Sequence, residues 1–189
     1  MKNRTLYFIL VSILGLSIVA CDDMLSDNLV ILDSVTSAKY SIDTGEVTFS
    51  ESESVDLQDV IDDIDGDVEN VDFFNITMFV SNIYNSSPQT SISGQLTARI
   101  SGNSESHALV NFSNISFEDF LTERSIFSEE LPGINYDQEG VQALIGYYNR
   151  KPAPVVNFTL NGTINRAGGE GNVKFDFEAK LYTQISTDP

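Results

Sequence analysis

The sequence predicts a single all-β domain, a β-sandwich or jelly roll with a few short helices. Three observations carry this. Apolar and polar residues alternate with period two in several stretches, the segments between them are rich in Gly, Ser and Asn, and long helical periodicity is scarce. With 189 residues, 41% of them hydrophobic, the chain can build one substantial core and is hardly long enough for two. No internal repeat of fixed period is visible.

Taken in order, strands are expected around residues 29–35 and 45–50. A short helix over Val55–Ile64 follows, with Val55, Leu57, Val60, Ile61 and Ile64 set among acids. Phe74, Ile76, Met78 and Val80 then alternate with Asn75, Thr77, Phe79 and Ser81, the pattern of a half-buried strand. Leu96, Ala98 and Ile100 repeat it, as do Ala108, Val110 and Phe112. A second short helix is expected over Ser116–Arg124, where Ser116 and Asp119 resemble a capping box with aspartate in place of glutamate. Asp137–Asn149 carries the clearest helical face, with Val141, Leu144, Ile145 and Tyr148 on one side, and Pro152 and Pro154 stop it. Val156, Phe158, Leu160 and Ile164 mark one further strand, and Val173, Phe175, Phe177, Ala179 and Leu181 another. The Arg166–Gly171 segment between these two is glycine-rich, so they are expected to form a C-terminal hairpin.

The first 20 residues have a different organisation. Lys2 and Arg4 precede an apolar run from Leu6 to Val19, and small Ala20 stands before Cys21, the only cysteine. The run is short for a membrane span and no basic stop-transfer cluster follows, so it reads as a secretory signal peptide. Ile18-Val19-Ala20-Cys21 resembles the lipobox of bacterial lipoproteins. The resemblance covers about 23 residues, and isoleucine replaces the commoner leucine at position 18. It implies cleavage before Cys21, a diacylglyceryl group on the Cys21 thiol, and lasting attachment of the mature chain to a membrane of the cell envelope. Residues 21–28 would then be a lipidated tether and 29–189 the sandwich domain.

Asp22-Asp23 resembles two sorting signals, one for inner-membrane retention and one for surface export in lipoproteins of the Bacteroidota. Asp33-Ser34-Val35 is similar to an O-glycosylation motif of that phylum. Together with the Asn, Asp, Ser and Ile enrichment, these resemblances imply the outer membrane, with the exposed side open.

Ten basic residues against 28 acidic give a net charge of −18, which argues against nucleic acid as a partner. Loss of Lys2 and Arg4 leaves eight basic residues and a charge of −20. One cysteine excludes an intrachain disulfide, and the lone His107 leaves little for histidine-based metal or acid–base chemistry.

The acidic Asp59–Asp72 segment invites comparison with a calcium loop. With Gly66 at the turn position, Asp63 and Asp65 fall correctly, and Asp67 lies beside them. The first ligand position is Ile61, however, and the last is Asp72 rather than glutamate. The segment therefore reads as a solvated helix end and turn, with calcium as a secondary reading. No Gly-x-Ser-x-Gly elbow accompanies His107, and no carboxylate pair is marked for glycoside hydrolysis. Six Asn-x-Ser/Thr triplets after Cys21, at Asn75, Asn85, Asn111, Asn114, Asn157 and Asn161, read as the composition of solvated strand faces.

Tyr147-Tyr148-Asn149-Arg150-Lys151 is the one basic–aromatic cluster on an acidic chain. Tyr147, Tyr148 and Arg150 are therefore its candidate binding residues, although cations at a helix end also favour the helix dipole. The long connection from Arg124 to Pro154 is the region expected to hold a site. The function read from the sequence is a membrane-anchored, non-enzymatic lipoprotein that binds a protein, glycan or envelope component. A calcium-stabilised adhesin or glycan-binding module and an apolar-ligand carrier are the alternatives.

Overall fold

The computed structural model describes residues 30–64, 67–87, 90–127, 132–166 and 172–188. Among the described residues, nine strands form two antiparallel sheets. They are β1 (Val30–Thr44), β2 (Thr48–Asp56), β3 (Asp67–Tyr84), β4 (Ser91–Ile100), β5 (His107–Ser116), β6 (Arg124–Ser125), β7 (Ile134–Tyr136), β8 (Val155–Asn165) and β9 (Val173–Asp188). Helix α1 (Leu57–Asp62) lies between β2 and β3, and α2 (Gln138–Tyr148) between β7 and β8. One sheet runs β1-β9-β3-β6 and the other β2-β8-β4-β5-β7.

The pairings β1–β9, β2–β8, β3–β6 and β4–β5 nest inside one another. That is a long antiparallel ribbon, bent between β4 and β5 and wrapped so that successive rungs fall in opposite sheets, the arrangement of a jelly roll.

This nesting corrects the expected C-terminal hairpin. β8 and β9 are consecutive but lie in different sheets, because the ribbon partner of β8 is β2 and that of β9 is β1. The strands on either side of the glycine-rich segment therefore do not pair with each other. β9 becomes an inner strand of its sheet, in register with β1 from Val30↔Thr187 to Thr44↔Val173 and with most of β3.

The alternating residues form the core as their period requires. Phe175, Phe177, Ala179, Leu181 and Ile185 of β9 are buried against Phe158 and Leu160 of β8 and Leu96 of β4, across the sandwich. Phe177 lies near three rings, Tyr40 at 6.3 Å, Phe112 at 6.0 Å and Phe120 at 6.1 Å between centroids. Phe175 meets Phe49 at 5.8 Å and Phe117 at 4.8 Å. The opposed glycines Gly94 and Gly162 make room for this aromatic layer. A Cβ on Gly162 would lie 2.4 Å from the Phe49 ring, and one on Gly94 would lie 2.8 Å from that of Phe112.

The helix expected over Val55–Ile64 is shorter, because Val55 and Asp56 still pair with β8 as the end of β2. Asp56 then caps α1, accepting the Gln58 backbone N–H at 3.0 Å. The helix expected over Ser116–Arg124 is a single 3-10 turn, Phe117–Phe120. Ser116 caps it through the Glu118 N–H, and burial of both Phe117 and Phe120 holds the tight turn in place. Glu123 beyond it accepts from Lys180, Thr77 and Tyr182 on the outer face of the sheet, and these bonds, Lys180 foremost, hold its carboxyl down at about 2.

The six sequon asparagines all have structural work. Asn157 and Asn161 accept from Ser54 and Ser50 across the β2–β8 pair, and Asn75 accepts from Ser125. Asn111 and Asn114 accept from Gln95 and Ser91 across β4–β5, while Asn85 donates to the Asn172 carbonyl.

Candidate functional site

In its described parts, the region from Arg124 to Pro154 includes regular elements rather than a simple connection. It contains β6, β7 and α2, and its last residues meet α1 at one end of the sandwich. α2 starts at Asp137, whose carboxylate accepts the Gly140 N–H at 3.0 Å. Gly140 lets the helix sit directly on β5, since a Cβ there would fall 1.6 Å from the Ala108 carbonyl oxygen. Val141, Leu144 and Tyr148 then enter the core.

At the other end of α2, Asn149 acts as an extra peptide group for the edge of β3. Its side-chain oxygen accepts the Val71 N–H at 2.9 Å, and its amide donates to the Val71 carbonyl at 2.8 Å and to the Ile145 carbonyl at 3.0 Å. Both backbone groups of one edge residue are satisfied by one side chain.

Gln58 joins α1 to the segment after α2. Its amide donates to Asp62 at 2.7 Å, and its oxygen accepts the Ala153 N–H at 2.8 Å. The Leu57 N–H reaches the Pro154 carbonyl at 3.3 Å. Between these ties lies a cleft of about 560 Å³. Ile61, Ile64 and Val68 supply its apolar lining, Asp62 and Glu69 its acids, and Arg150 and Lys151 its cations, with Gln58, Tyr148, Asn149 and Pro152 completing it.

The candidate binding residues divide between core and cleft. Tyr148 is 1% exposed, and its hydroxyl donates to Thr36 Oγ1 at 3.2 Å. Burial pushes that hydroxyl up to about 12. Tyr147 is 5% exposed and lies beneath the Arg150 guanidinium, 5.3 Å from its ring centroid. Arg150 and Lys151 themselves are exposed, and neither is in an ion pair among the described residues.

Forty residues away in sequence, His107 comes to the same place. Its ring is 6.0 Å from that of Tyr147, and its Nε2 is 3.7 Å from Glu105. His107, Glu105, Tyr147, Arg150 and Gly146 share the lining of a smaller cleft of about 280 Å³. Burial raises the Tyr147 hydroxyl above its usual range; Glu105 adds to this and Arg150 opposes it.

The candidate ion ligands are placed as follows. Asp63 is the exposed C-cap of α1, and Asp67 opens β3 opposite Asp188, while Asp65 lies outside the described residues. No group of three or more His, Cys, Asp or Glu is arranged to hold a metal ion among the described residues. Cys21, the expected signal peptide before it and the expected tether after it also lie outside them. No helix among the described residues is long and apolar enough to cross a membrane.

Sequence reasoning did not find Gln58 or the wall of Ile61, Ile64 and Val68. Asn149, at the end of the predicted helix, carried a recognisable C-cap signal but no sign of its bond to β3.

No family model matches the chain, and no curated protein matches it. Among solved structures, a decameric BFDV capsid protein is similar at a TM-score of 0.33 and 10% identity, over 84% of this chain and 99% of that one. At that score the likeness carries no argument, and the sandwich assignment stands on the strand order alone.

Proposed function

We propose that the chain is a lipid-anchored binding protein of the bacterial cell envelope, held at the outer membrane through Cys21, with the α1–α2 cleft as its binding site. The observation that carries the binding reading is the pair Arg150–Lys151. In a chain of net charge −18, two neighbouring cations line a cleft and are in no ion pair among the described residues. Elsewhere Lys39, Lys174 and Lys180 each pair with an acid. A guanidinium held over an aromatic ring and a lysine beside it are suited to recognition, and fixed elements hold the cleft walls together. The lipobox resemblance supports the anchor.

Two measurements on the full-length chain in its own cells test this. Growth with an alkyne-bearing palmitate is expected to label the wild type and not Cys21→Ser; equal labelling or none would remove the anchor. Protein extracted in mild detergent and then denatured is expected to release a small molecule in stoichiometric amount. Release should fall at least tenfold when Arg150→Ala is combined with Lys151→Ala, and unchanged or absent release in both proteins would overturn the binding reading.

A further inference from the structure

We infer that the α1–α2 cleft takes the headgroup of a zwitterionic phospholipid, an ammonium and a phosphate on one short linker, with the start of the acyl chains on its apolar wall. This rests on the anchored-binding reading above and names the ligand of that site. Three observations support it.

The first is the sign of the lining. Asp62 and Glu69 provide carboxylates for an ammonium, and Arg150 and Lys151 provide cations for a phosphate. A simple anion would leave the acids without a role and would be repelled by the charge of −18. A headgroup of zero net charge avoids that repulsion and satisfies both sets.

The second is the apolar wall. Ile61, Ile64 and Val68 are only partly buried, and they line the cleft together with the charged groups. Charges of both signs next to aliphatic surface fit an amphiphile better than a sugar or a free amino acid.

The third is position. Val68 on the cleft and Val30 at the start of β1 both pair with Thr187 of β9, one on each side. The cleft is therefore two strand spacings, about 10 Å, from Val30, the first described residue. Eight residues, Asp22–Leu29, separate Cys21 from that point and can span at most about 28 Å. A lipid on Cys21 keeps the cleft within reach of the bilayer surface, where phospholipid is the most concentrated amphiphile.

The test is calorimetric titration of the full-length chain at constant non-ionic detergent concentration. The probes are dihexanoyl phosphatidylethanolamine, dihexanoyl phosphatidylglycerol and glycerophosphoethanolamine. The first should bind, and the anionic lipid and the chain-free headgroup should each bind at least tenfold more weakly. Arg150→Ala with Lys151→Ala should weaken binding at least tenfold, and so should Asp62→Asn with Glu69→Gln. The second pair keeps the oxygen that accepts from Gln58. No heat with phosphatidylethanolamine, equal or tighter binding of phosphatidylglycerol, or indifference to either pair of substitutions would overturn the inference. If denaturation of cell-derived protein releases some other molecule in a way that depends on Arg150 and Lys151, the binding reading stands and this inference falls. If release does not depend on them, both fall.

Discussion

The two halves of α2 are held in place by different means. At its start, Gly140 brings the helix backbone against the Ala108 carbonyl, so closely that a single methyl would occupy the same space. At its end, a Cβ on Gly146 would meet nothing within 4 Å, and the hydrogen bonds of Asn149 tie the helix to β3 in addition to the burial of Tyr147 and Tyr148. The close approach at Gly140 leaves no room for another molecule. Around Gly146, core packing and directional bonds hold the helix together while open space remains on both sides of Arg150. A binding surface is compatible with the second kind of attachment and not with the first.

Gly140→Ala tests the packed half and has the largest expected effect. The new methyl meets a backbone oxygen that cannot rotate away, so the helix must lift from β5. A loss of about 3 kcal/mol is expected in urea unfolding, at the upper end for overpacking. A loss well under 1 kcal/mol would mean that α2 is not seated on β5 as described.

Asn149→Ala tests the bonded half. It leaves the N–H and carbonyl of Val71 without their partner, and about 2 kcal/mol of stability should be lost. Asn149→Asp keeps the acceptor for the Val71 N–H and removes both donated bonds, so it should fall between wild type and alanine. An aspartate variant equal to wild type would show that the donated bonds contribute nothing.

Gly146→Ala has the smallest effect and the opposite sign. With no steric conflict and a helical backbone, alanine should stabilise the chain by about 0.5–1 kcal/mol. Destabilisation would mean that the space beside Gly146 is not open in solution, which would remove the contrast between the two halves.

Much of the architecture was legible from period two alone. Phe175, Phe177, Ala179 and Leu181 are buried where their alternation placed them, as are Ile76, Met78 and Val80. Strand partners were not legible, because pairing in a nested ribbon is set by the whole chain. The glycine-rich segment after Arg166 has the composition of a hairpin turn, and nothing within it records that its flanking strands belong to different sheets.

The site divides in the same way. Arg150 stood out because basic residues are rare here, whereas Gln58 meets Ala153 across 95 positions of sequence. No local pattern encodes that meeting. Tyr148 stood out for its chemical type, but its helical face sends it into the core, where it bonds Thr36.

The pairing of the first strand with the last also bears on how the protein is made. Synthesis delivers β1 first, and its partner β9 arrives only after the seven strands between them. β9 also supplies the long neighbour of β3, so β1 and β3 have no shared partner until β9 has emerged. Contacts of such sequence separation form slowly. Closure of that sheet therefore waits for β9, in whatever order the other strands pair.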